Sequence, residues 1–166
     1  MINKEDGRAK AREDWAAGQA FVMVGDELPR GGPRLDDSRP FYRASLAGVD
    51  WAEDFCRDYN AEIEALIARD GIPDWAPGKR RPSDAECLAL LEAGEPAGDL
   101  GEARALLQRV LDEWAWATRE PPKVVFDAAR SVVVIGRTIA SSGEVWIDLL
   151  DVRGGEYMCH LELKPG

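Results

Sequence analysis

The sequence predicts an α+β protein of one domain over residues 1–166, with a helical N-terminal and middle region (about 1–120) packed on a C-terminal antiparallel β-meander of about four strands (about 123–164). Three observations carry this. Candidate capping boxes Asp50/Glu53, Ser83/Glu86 and Asp99/Glu102 each precede a stretch with apolar residues at helical spacing. After Pro121-Pro122 the pattern changes to short runs rich in Val, Ile, Leu and aromatics, separated by turn residues. Helices followed by strands, rather than alternating with them, give α+β and not a parallel α/β sheet.

Asn3 to Ala20, rich in Ala, Glu, Lys and Arg, reads as a helix with Trp15 as its apolar anchor. Phe21 to Val24 either extends that helix or forms a brief strand, since four residues show no period. From Gly25 to about Ala44, Pro29, Gly31, Gly32, Pro33 and Pro40 break regular structure and predict a long loop. Asp50 to Arg69 is the clearest helix, with Trp51, Phe55, Tyr59, Ile63, Leu66 and Ile67 as its buried stripe and Gly71 and Pro73 as its stop. Residues 70–82 form a second loop, carrying Trp75 and the basic run Lys79-Arg80-Arg81. A short helix then runs from Ser83 to about Ala93, and a longer one from Asp99 to Arg119 with Leu107, Val110, Leu111 and Trp114 on its stripe.

Lys123–Asp127, Ser131–Ile139, Glu144–Val152 and Glu156–Lys164 are the expected strands. Ser141-Ser142-Gly143 and Gly154-Gly155 are hairpin turns, the second of the two-residue kind. Val132 to Ile135 is apolar on both faces and predicts a central, covered strand.

Composition narrows the function classes. With 21 Lys+Arg against 31 Asp+Glu the formal net charge is −10, and 45% hydrophobic residues are too many for an acidic disordered tail. An acidic balance argues against direct binding to nucleic acid or an anionic membrane, because neutralising phosphate needs clustered Lys and Arg. No apolar run nears the ~20 residues of a membrane span, and the polar start from Met1 to Lys10 has no signal-peptide core. A cytoplasmic protein with three free thiols, Cys56, Cys87 and Cys159, is therefore expected.

Chemistry is sparse. His160 is the only histidine, and Cys159 beside it suggests a Cys-His dyad. Adjacent strand residues point to opposite faces, however, which separates the two side chains. A two-residue turn at Gly154-Gly155 would set Cys159 opposite Leu150 and His160 opposite Leu149. One His and three scattered Cys offer no close metal-ligand pair, and there is no EF-hand loop, phosphate loop, dinucleotide fingerprint or nucleophile elbow. No catalytic residue, cofactor or metal is expected.

Charge placement is more informative. Residues 1–49 hold 8 acids and 8 bases, 50–70 hold 7 and 2, 71–83 hold 1 and 3, 84–120 hold 9 and 3, and 121–166 hold 6 and 5. The imbalance belongs to the helical middle. Asp54, Asp58 and Glu62 recur at i, i+4, i+8 on one helix face, where each like-charge pair costs about 0.2–0.5 kcal/mol. Such a stripe either is a solvated face or steers a basic partner. Trp116 lies about 200° around a helix from Trp114, on the side of Asp112 and Glu113. Packing against the next strand is its ordinary fate, and an interface anchor the alternative. Trp75 is a candidate contact residue in its loop.

These features predict a small acidic protein acting through protein–protein interaction, with Asp54, Asp58, Glu62, Trp75, Asp112, Glu113 and Trp116 on its binding surface. Its most concrete form is inhibition of a basic, nucleic-acid-handling partner, in the manner of an immunity protein, antitoxin or phage anti-defence protein. One alternative is an enzyme that holds a small anionic substrate through Arg30, Arg34, Arg39 and Arg43. Another is a structural or assembly subunit self-associating through a meander edge or exposed tryptophans.

Overall fold

Helices come first and a four-stranded antiparallel meander closes the chain, the α+β layout expected from the sequence. The computed structural model describes residues 6–25, 34–35, 39–45, 52–94 and 96–164. Contacts divide the chain into two units, Met1–Lys79 and Arg80–Gly166.

In the first unit, helix α1 (Gly7–Ala16) starts where the Asp6 carboxylate accepts from the Arg8 N–H at 3.0 Å. It stops short of the expected Ala20 because Gly18 takes a positive φ of 71° and turns the chain. Strand β1 (Val22–Val24) settles the ambiguous run as extended. It pairs in parallel with β3 (Tyr42–Ser45), which pairs antiparallel with β2 (Arg34–Leu35). The segment expected as loop thus carries two short strands, fixed by Leu35 and Tyr42 entering the core. Helix α2 (Ala52–Asp70) buries Tyr59, Ile63 and Leu66 as its spacing predicts; Asp50 and Trp51 lie outside the described residues.

Helices α1 and α2 touch closely at Gly7, where a Cβ would stand 2.5 Å from the Phe55 carbonyl oxygen. Also on α2, the Asn60 amide donates to the Met23 carbonyl at 2.7 Å and accepts from the Met23 N–H at 2.9 Å. That one side chain satisfies both main-chain groups of the middle residue of β1. A one-turn helix α3 (Pro77–Arg80) occupies part of the expected 70–82 loop.

The second unit is built on strands β4 (Lys123–Asp127), β5 (Val132–Thr138), β6 (Val145–Asp151) and β7 (Glu156–Leu163), ordered β4-β5-β6-β7. Val132, Val133, Val134 and Ile135 are fully buried, as a strand covered on both faces requires. Helix α4 (Asp84–Ala93) begins with the complete Ser83/Glu86 capping box and lies over one face, with Leu91 against Gly136. Helix α5 (Arg104–Glu113) covers the other through Val110, against Val133, Ile135 and Leu150.

Asp99 does not cap α5: it accepts from the Gly101 N–H at 2.9 Å, and a single 3-10 turn precedes the helix, which starts after Ala103. Nor does α5 reach Arg119. It ends at Glu113, and a second 3-10 turn, Ala115–Ala117, follows.

The β6–β7 connection departs from the expected two-residue turn. Asp151 pairs with Glu156, so Val152 to Gly155 form a four-residue turn. Two bonds hold its first half: Val152 N–H to the Ser131 carbonyl at 3.0 Å and Arg153 N–H to the Asp151 carboxylate at 3.0 Å. A bulge then shifts the register, so Leu150 pairs with Tyr157, Leu149 with Cys159 and Asp148 with His160.

Candidate functional site

The bulge determines the chemistry of the α5-facing side of the sheet. Along β6, Trp146, Asp148 and Leu150 share that face, opposite Arg137, Ile135 and Val133 of β5. From β7 the register supplies Tyr157, His160 and Glu162, opposite Leu150, Asp148 and Trp146. A charged cluster is therefore set into an otherwise apolar layer.

Its centre is Asp148, which is fully buried. It accepts from the Tyr157 hydroxyl at 2.5 Å, contacts His160 Nδ1 at 2.8 Å and forms a buried ion pair with Arg137. The Arg137 guanidinium also donates to the Val110 carbonyl at 2.6 Å, in the last turn of α5. A buried carboxylate survives only where donors replace its lost hydration, and Asp148 has three. Burial pushes its carboxyl up, but the hydrogen bonds from His160, Tyr157 and Arg137 outweigh burial and hold it below the ordinary range. His160 is shifted the opposite way. The bond to Asp148 raises it, burial opposes, and Glu162 Oε1 at 3.4 Å from Nε2 adds to the rise.

An aromatic group lies directly over this cluster. The Trp114 ring stacks on His160 at a 6.1 Å centroid separation and meets Trp146 edge-on at 5.0 Å. Trp146 donates its indole N–H to Glu144 at 3.1 Å. Trp116 touches only the near side of this group, 6.0 Å from Trp114. Backbone bonds from Ala117 N–H to the Trp114 carbonyl at 3.0 Å, and from Ala140 N–H to the Ala117 carbonyl at 3.2 Å, fix its turn against the β5–β6 hairpin. Trp116 is 78% exposed, the most exposed large hydrophobic side chain among the described residues. Asp112 and Glu113, just before it, are exposed as well.

The other expected site residues fall in different surroundings. Asp54 is exposed at 81% of its side chain and pairs with Arg57 at 2.9 Å, while Asp58 lies 3.7 Å from the same guanidinium. Glu62 leaves the solvent-facing stripe: only 13% of its side chain is exposed, and it pairs with Arg8 at 3.5 Å and Arg12 at 3.1 Å. Helix α1 supplies those two cations, which no periodicity within α2 could reveal. Trp75 is half-buried rather than displayed, packed 5.6 Å from both Trp15 and Phe41. Arg34 and Arg43 stand opposite each other in the β2–β3 register, Arg39 is exposed, and Arg30 lies outside the described residues. These arginines belong to the first unit and His160 to the second.

The thiols match a packing role. Cys56, Cys87 and Cys159 form no disulfide, and burial pushes Cys87 up to about 11, with Asp84 adding to the rise. Cys159 is buried on the face opposite His160. Among the described residues there is no metal-holding group of three His, Cys, Asp or Glu side chains, and no helix is long and apolar enough to cross a membrane.

Sequence reasoning missed Asp148, Arg137 and Tyr157. One signal was visible: Arg137 and Asp148 are single charges inside strands that are otherwise apolar on that face. The bulge that adds His160 and Tyr157 has no such signature. Comparison with known proteins finds no matching family model, no matching curated protein and no matching solved structure.

Proposed function

We propose that this protein acts by binding a basic protein partner, and that the surface around Trp116 is its principal contact. The observation that carries the reading is a large aromatic side chain left 78% exposed beside the exposed acids Asp112 and Glu113. An indole left mostly exposed gains the fold little beyond its ring contact with Trp114, whereas buried at an interface it is a common energetic anchor. The surrounding carboxylates select for positive charge and speed its approach. Asp54 and Asp58 on α2 add to the negative field that steers such a partner. Glu62 and Trp75 are assigned no contact, since intramolecular packing accounts for both.

Neutralisation of a nucleic-acid-handling protein is the role this chemistry fits best, because such proteins carry the cationic grooves that an acidic surface complements. The immunity, antitoxin and anti-defence roles all belong to this class. The test is affinity capture from the cell that makes the protein, at low and high salt, followed by reconstitution with the purified partner. Capture should weaken steeply with salt, and Trp116→Ala and Asp112→Lys/Glu113→Lys should each reduce the reconstituted affinity at least tenfold. A partner whose binding ignores both salt and these substitutions would refute the reading.

A further inference from the structure

The Trp116 surface has features that distinguish between the two kinds of basic side chain. Resting on the basic-partner reading above, we infer that its occupant is an arginine of the partner, stacked on the open face of Trp116 and paired with a neighbouring carboxylate.

The first argument is rigidity. Trp116 rests against Trp114, which is itself held between Trp146 and His160, and Trp146 is tied through its indole N–H to Glu144. Below that layer Asp148 fixes His160 through Nδ1. The platform is therefore set before any partner arrives, which reduces the ordering cost of binding. Because Trp114, Trp146 and His160 are packed ring against ring, they leave Trp116 as the face that can accept a planar cation.

The second argument is charge. Between Val110 and Pro122 the chain carries Asp112, Glu113 and Glu120 against the single base Arg119. Glu144 and Glu162 edge the same aromatic group through Trp146 and His160. A cation arriving at Trp116 thus meets an exposed indole on a stretch of chain whose charge is mainly negative. Lysine offers a strongly hydrated point charge. A guanidinium is flat, more weakly hydrated, and able to stack on indole while donating two parallel N–H bonds to a carboxylate. A flat exposed indole in an acidic stretch of chain favours the second geometry.

The test compares nona-arginine with nona-lysine, which carry equal charge, by calorimetry and by the NMR shift of the Trp116 indole N–H. The wild-type chain should bind nona-arginine about three- to tenfold more tightly than nona-lysine. Trp116→Ala should lower nona-arginine affinity to that of nona-lysine and so remove the preference. Trp116 is exposed, and amide NMR shifts unchanged outside the Trp114–Ala117 turn check that the variant folds. Equal, salt-sensitive binding of both peptides would overturn the arginine assignment and leave the basic-partner reading standing. Binding of neither peptide would overturn both. Trp116-dependent self-association in sedimentation, without a preference for nona-arginine, would assign the surface to a second copy and overturn the assignment.

Discussion

Asp148 is the residue on which the second unit depends most. Its carboxylate, itself fully buried, holds Arg137, Tyr157 and His160 at once. Replacing it with Ala would leave the Arg137 charge buried and unpaired, which costs about 3–5 kcal/mol. Hydrogen exchange of the β5–β7 amides should report that loss for this unit by itself. The double variant Arg137→Met/Asp148→Leu should recover part of it, because the buried unpaired charge is removed while Tyr157 and His160 still lose their acceptor. If the single and double variants are equally destabilised, the cluster is not acting as a charge pair. The same cluster sets a pH dependence. His160 binds its proton more tightly in the folded chain, so its contribution is complete below its ordinary value of 6.5 and is lost as pH rises through the raised folded value. Asp148 is shifted down, so its contribution is present above 3.8 and is lost as pH falls through the lowered folded value. Between 3.8 and 6.5 both contribute in full. Protection of the β6–β7 amides should therefore decline above that window in the wild type, and His160→Gln should flatten the decline.

At the level of elements, two contacts of the first unit make sharp predictions. Gly7→Ala would place a methyl group 2.5 Å from a main-chain oxygen of α2, and main chain yields less readily than a side-chain tip. Although alanine favours helix over glycine, the variant should lose about 1–3 kcal/mol of stability through overpacking, measured as earlier exchange of α1 and α2 amides. Asn60→Ala removes both bonds to Met23, and β1 should lose its protection before α2 does. These contacts also show where sequence reading runs out. Strands β4 to β7 and the Ser83/Glu86 start of α4 follow from local pattern, because period 2 and the cap-to-N3 spacing are properties of contiguous residues. The early end of α5 and the bulge in β7 do not. Each is set by a partner distant in sequence, such as Ser131 holding Val152 or Ala140 bonding Ala117. A shift of one residue in a strand moves side chains across the sheet, so this small error was enough to conceal that His160 faces Asp148. In the candidate site, charge and aromatic placement single out Trp116, Asp112 and Glu113 in the sequence, and all three are exposed, although packing was the ordinary expectation for Trp116. The role of Glu62 was not legible there, since its cations come from a different helix.

For the whole molecule, the net charge of −10 takes on meaning through its distribution. Part of the acid in the helical middle is used internally, as with Glu62 of α2, which pairs with Arg8 and Arg12 of α1. Another part, at Asp54 on α2 and at Asp112 and Glu113 before Trp116, faces solvent. Charge of the second kind acts on association, so Asp54→Lys/Asp58→Lys should lower the association rate more than it raises the dissociation rate, and should reduce the salt dependence. Trp116→Ala should do the reverse and act mainly on dissociation. The most direct test of the central claim is the dissociation constant for the reconstituted basic partner, measured across a salt series for wild type and Trp116→Ala. The account predicts binding that weakens steeply with salt and is at least tenfold weaker in the variant at every salt concentration. Equal affinity of the two proteins across the series would contradict it.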